Sequence, residues 1–139
     1  FNQGFATTEY LEAALLDLQW HMLPADAPLQ DVANFEKAAM ANYGLDLPMV
    51  LPRYRTCYFS HIWGGGYSAG YFAYLWAEVL EADAFQWFKE HGGMTRINGM
   101  HYRETVLSQG GSEDAGQMYR NFRGRDPEVG PLLVKRGLR

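Results

Sequence analysis

The chain has 139 residues, of which 47% are hydrophobic and 15% aromatic. That is enough to bury one core, and it excludes a disordered chain. The formal net charge is −4 with no basic block, which excludes nucleic acid as the main partner and leaves an anionic membrane surface little to attract. No apolar run is long enough to span a bilayer, and no signal peptide is visible. The single cysteine, Cys57, cannot form an internal disulfide, and a reducing, cytoplasmic setting is the simplest expectation.

Helical spacing dominates the chain. In TTEYLEAALLDLQWHML, Leu11, Ala14, Leu15, Leu18 and Met22 recur on one face, with Thr7 or Thr8 as the expected cap. LPADAPLQ interrupts this helix with two prolines. A second helix is expected from about Pro28, with Val32, Phe35, Ala39 and Tyr43 on one face and Gly44 at its exit. LDLPMVLPRYRTCYFSHIW is irregular, and PMVLPRYRTCYF could be extended.

After Gly64 to Gly66, a long helix is expected from Tyr67 or Ser68 to about His91, closed by Gly92 and Gly93. Thr95 is expected to cap the next segment, Ser112 the one that carries Ala115, Met118, Tyr119 and Phe122, and Asp126-Pro127 to open the last helix. The expected class is all-α, with one irregular Pro/Gly-rich loop before a long central helix.

HIWGGGYSAGYFAYLW, from His61 to Trp76, holds one histidine, four glycines and three tyrosines. On a helix, Tyr67, Tyr71 and Tyr74 would share nearly one azimuth, with Glu78 close to the same line. Three readings are open. The tyrosines can be amphipathic packing residues. GGGYSA can be a G-x-G-x-x-A phosphate loop, although no convincing strand follows it. The stretch can also be an active-site wall, in which phenol hydroxyls and an imidazole donate to a developing oxyanion and the glycines allow close backbone approach. The sequence places no attacking serine, and Cys57 with His61 is a weak thiol pair.

The four histidines, His21, His61, His91 and His101, contain no H-x-x-x-H spacing, and no H-E-x-x-H occurs. His101 and Glu104 are three apart and are expected to be a solvated pair rather than metal ligands. His21 and His91 fall near helix C-termini, where the helix dipole favours them. No metal ligand is assigned to this chain.

HIWGGGYSAGYFAYLW resembles the thimet-oligopeptidase family of zinc peptidases, and most closely its bacterial peptidyl-dipeptidase branch. The likeness extends to FNQGFATTEYLEAALLDLQWH, to PRYRTCYF, and to GMHYRETVLSQGGSEDAGQMYRNFRGRDPEVGPLLVKRGL. The resemblance implies a helical, zincin-type subdomain, with residues 1–139 as the C-terminal part of a peptidase catalytic domain. It implies zinc in the full-length parent, held by residues absent from this chain, and short peptides from which C-terminal dipeptides are released. It implies that His61, Tyr67, Tyr71, Gly65 and Gly66 bind substrate and that Tyr74 is the main oxyanion donor. The implied partners are a short peptide and the N-terminal remainder of the parent, and the chain alone is expected to be inactive. FNQGFATTEY, which opens without methionine, is then expected to be the start of a piece of a longer protein. The alternative is a stand-alone helical binding domain without catalysis.

Overall fold

The computed structural model describes residues 1–139. Every regular element is helical and no strand forms, as the all-α expectation requires. The elements are α1 (Gln3–His21), α2 (Val32–Asn42), a 3-10 turn (Thr56–Tyr58), α3 (Ser60–Trp63), α4 (Ala73–Glu90), α5 (Arg96–Tyr102) with a π-turn (Arg103–Leu107), α6 (Ala115–Arg123) and α7 (Gly130–Lys135). They form two compact units, Phe1–Tyr74 and Leu75–Arg139.

In the first unit, α1 runs from Gln3, so neither Thr7 nor Thr8 caps it. Its buried residues are Glu12, Ala13, Ala14, Leu16 and Asp17. That face is rotated from the expected leucine stripe; Met22 is exposed. Ala13 and Ala14 pack with Phe59, Ile62 and Tyr71, and Leu16 packs with Ala39 and Met40 of α2. α2 starts later than Pro28 because the Asp31 side chain caps it, accepting from Asn34 N–H at 2.9 Å.

PMVLPRYRTCYF is irregular rather than a strand, and side chains pin it from both helices. Glu36 accepts from Thr56 N–H at 2.6 Å and pairs with the Arg55 guanidinium. Burial pushes the Glu36 carboxyl up, but the bonds from Arg55 and Thr56 outweigh it and hold the group below the usual range. Trp20 Nε1–H donates to Thr56 Oγ1 at 2.8 Å, and Trp63 Nε1–H to the Thr56 carbonyl at 2.9 Å.

In the second unit, Trp87, Phe88 and Phe122 form an aromatic core with Tyr102 and Val106 against it. Val79, Ala82 and Leu132 form another cluster. Thr95 caps α5 as expected, accepting from Asn98 N–H at 3.2 Å. Asp114, not Ser112, caps α6, accepting from Gln117 N–H at 2.9 Å. The last helix begins at Gly130 with Pro131 in its first turn, not at Asp126-Pro127. The reason is Asp83, whose carboxylate takes the Glu128 N–H at 3.1 Å and so holds residues before α7 in an unwound form.

Asp83 is fully buried and also accepts from Tyr119 Oη–H at 2.9 Å, Arg123 Nε–H at 3.2 Å and Arg125 at 2.8 and 2.9 Å. Burial pushes this carboxyl up, yet Arg125, Tyr119, Glu128 N–H and Arg123 together hold it below its ordinary value. Removing a buried charge from such a network leaves two guanidiniums short of a partner. Asp83→Asn is therefore expected to lower the unfolding free energy by roughly 3 kcal/mol in urea titrations at pH 7. Because the folded value is depressed, Asp83 stabilises the chain above its ordinary value of 3.8 and loses that contribution as the pH falls below it.

Candidate functional site

The tyrosines do not share one helix. Tyr67 has no regular structure, residues 68–72 are turns, and α4 starts only at Ala73. Gly70 N–H donates to the Tyr67 carbonyl at 2.9 Å, and Ala73 N–H to the Gly70 carbonyl at 3.0 Å. Ala69 interrupts any helix with a left-handed φ of 55°. An alanine there costs about 1 kcal/mol, and Asp17 of α1 offsets it. Asp17 Oδ1 accepts from Ala69 N–H, and Oδ2 from Tyr71 N–H, both at 2.9 Å. His21 Nδ1 lies 2.8 Å from Oδ1 and completes the carboxylate's shell.

This clamp delivers the expected residues to one place by a different route. The His61 ring centroid lies 5.9 Å from Tyr67, 5.9 Å from Tyr71 and 6.1 Å from Tyr74. The Tyr67 and Tyr74 rings stack at 5.9 Å, with only 5° between their planes. Tyr67 and Tyr74 are 43% and 42% exposed, whereas Tyr71 is 4% exposed and backs the other rings. Tyr10 helps to hold Tyr71, donating its hydroxyl to the Tyr71 carbonyl and stacking at 5.3 Å.

Burial pushes the Tyr71 phenol up to about 12. Partial desolvation and then a hydrogen bond with Tyr67 raise the Tyr74 phenol above its ordinary 10.0. Both hydroxyls are therefore neutral at pH 7, and Tyr74 has a proton to donate on the exposed side. Gly65 and Gly66 have φ of 77° and 83°, and nothing lies within 4 Å of where a Cβ would be. Glycine is required there by backbone conformation, not by crowding.

Two contributors escaped the sequence reading. Tyr54 packs on Phe59 at 5.1 Å and on His61 and Tyr71 at 6.2 Å each. Asp17 holds the loop. A carboxylate inside the apolar run LLDLQW was the available signal for Asp17; Tyr54 had no signal beyond its place in PRYR. Glu78, expected near the tyrosine line, is ion-paired with Arg136.

The remaining histidines are occupied. His91 Nδ1 donates to the Trp87 carbonyl at 2.8 Å, and His101 Nε2 to the Phe122 carbonyl at 3.0 Å. His101 is thus an aromatic-core residue stacked 4.9 Å from Trp87, not half of a solvated pair with Glu104. No group of three or more His, Cys, Asp or Glu side chains in the chain could hold a metal ion. The residues present do not fit a zinc site. Cys57 is exposed and free, and no helix is long and apolar enough to cross a membrane.

The profile of Peptidase family M3 matches residues 1–138. The chain belongs to this family. It is 51% identical over 138 residues to the dipeptidyl carboxypeptidase of Escherichia coli (strain K12), covering 99% of this chain and 20% of that protein. The dipeptidyl carboxypeptidase of Salmonella typhimurium is 52% identical over the same coverage. Oligopeptidase A of Escherichia coli is 47% identical over 81 residues, which is 58% of this chain and 12% of that protein. The chain spans about a fifth of the length of the dipeptidyl carboxypeptidases it matches.

Glu12 is the other buried acid of α1, and neither of its oxygens has a hydrogen-bond partner. Burial, with Glu9 adding to it, pushes its carboxyl up to about 7. The folded chain then holds a proton that the unfolded chain releases near 4.5. Stability from this group is greatest below pH 4.5 and declines as pH rises towards 7. The full decline is about 3 kcal/mol. Glu12→Gln should remove it, so that the variant melts higher than the parent sequence at pH 8 and the gap closes at pH 5.

Proposed function

We propose that this chain is the C-terminal, substrate-binding and oxyanion-stabilising part of a zinc-dependent peptidyl-dipeptidase that hydrolyses short peptides and releases C-terminal dipeptides. Membership of Peptidase family M3 and the identity to dipeptidyl carboxypeptidases support this reading. The observation that carries it is the convergence of His61, Tyr67 and Tyr74, with both phenols half-exposed.

The N-terminal remainder of the parent supplies the zinc and its nucleophilic water, and no step on that metal involves a ligand from this chain. The residues here bind, orient and donate. As the carbonyl is attacked, charge gathers on its oxygen, and the Tyr74 hydroxyl donates to it more strongly than to the resting carbonyl. His61 and Tyr67 hold the peptide backbone so that the carbonyl faces Tyr74. Tyr71 stays behind them and fixes their spacing. Gly65 and Gly66 leave room for the peptide to pass close to the backbone. The net charge of −4 suits a peptide rather than a nucleic acid as the ligand.

The binding-domain alternative expects the tyrosine face to be covered. Membership of Peptidase family M3 favours the catalytic reading.

In the full-length parent, Tyr74→Phe should cut kcat by roughly 100- to 1000-fold while moving KM little, because the lost bond belongs to the transition state. Steady-state kinetics on a quenched peptide checks this, and an unchanged kcat removes Tyr74 from the mechanism. The isolated chain, assayed with added zinc, should show no peptide turnover.

A further inference from the structure

A peptidase that counts two residues from a chain end must recognise that end. A peptide's free C-terminus is a carboxylate, and withdrawing it from water without a counter-charge is costly. The unit that carries His61 and the tyrosines has three Lys or Arg side chains, Lys37, Arg53 and Arg55. Arg55 is committed to Glu36. Lys37 stands on the exposed surface of α2.

Arg53 is different. Its backbone is fixed by donation from its N–H to the Glu9 carbonyl at 3.1 Å. Its side chain is exposed, and its guanidinium carbon sits 5.7 Å from the centre of the Tyr54 ring. Tyr54 in turn lies 6.2 Å from His61. The unit's ion pairs, His21 with Asp17 and Arg55 with Glu36, do not use it. The Arg53 guanidinium also hydrogen-bonds with the Tyr54 side chain, so it is pre-oriented at the ring, and a guanidinium has further N–H groups for a planar acceptor.

The span also fits. Two extended residues cover about 7 Å, and a guanidinium–carboxylate contact adds about 3 Å. The guanidinium lies 5.7 Å from the Tyr54 ring and that ring lies 6.2 Å from His61, which bounds the distance from Arg53 to His61 at a comparable length.

We propose that Arg53 receives the free C-terminal carboxylate of the bound peptide, and so selects chain ends over internal bonds. This rests on the peptidyl-dipeptidase reading above and adds the residue that sets its specificity.

The test uses the full-length parent and two competitive inhibitors, a dipeptide with a free carboxylate and the same dipeptide as its amide. In Arg53→Met, the inhibition constant of the acid should rise roughly 10- to 100-fold, the loss of one charge-assisted contact, while that of the amide stays within about twofold. Arg53→Lys keeps the charge and loses the fork, so the acid should weaken by less than in the methionine variant, with the amide again unmoved. Should the methionine variant melt lower than wild type, the lysine variant carries the comparison. Acid and amide weakening together would make Arg53 a packing residue and overturn the proposal, and so would no change in either. Failure of the underlying reading looks different, since wild-type parent would then turn over no peptide.

Discussion

The site depends on one buried carboxylate. Asp17 is fully buried on α1, and its two oxygens accept the backbone N–H groups of Ala69 and Tyr71. Those residues lie more than 50 positions away in sequence, so a single side chain fixes a loop that local propensity leaves undecided. A carboxylate that accepts two backbone N–H groups makes charge-assisted bonds, stronger than neutral ones. Here they position Tyr71 against Phe59 and Tyr10, and they set where α4 can begin.

The two units use the same device for different ends. In the first, Asp17 and Glu36 each hold irregular backbone against a helix. In the second, Asp83 gathers Tyr119, Arg123, Arg125 and the backbone before α7. Glu12 is the exception, since it is buried with no partner and burial raises its carboxyl to about 7. Acids placed inside amphipathic helices thus do most of the fixing of non-helical chain, while alanine, leucine and aromatic side chains supply burial.

The all-α class, the exits at Gly44 and Gly92, and the cap at Thr95 were legible because each rests on local chemistry. The start of α4 was not. Helical spacing of Tyr67, Tyr71 and Tyr74 predicts one stripe on one helix, yet the first two lie ahead of α4 because Asp17 takes their loop's N–H groups. The cluster expected from the stripe still forms, since packing around His61 recovers it. The starts of α6 and α7 failed for related reasons. Asp114 outcompeted Ser112 as a cap, and Asp83 captured the backbone ahead of α7. Tyr54 and Arg53 carried no periodic signal because irregular backbone has no period to read.

Gly65 and Gly66 turn left-handed because nothing prevents them, whereas Ala69 does so only while it is held. The first pair is a permanent bend and the third a sprung one. If the grip of Asp17 loosens, Ala69 relaxes to the ordinary side of backbone space. The tether to Tyr71 goes slack with it, and the phenols lose their common footing before any helix melts. The tyrosine wall is then softer than the fold around it, and its shape is conditional on an anchor buried behind it.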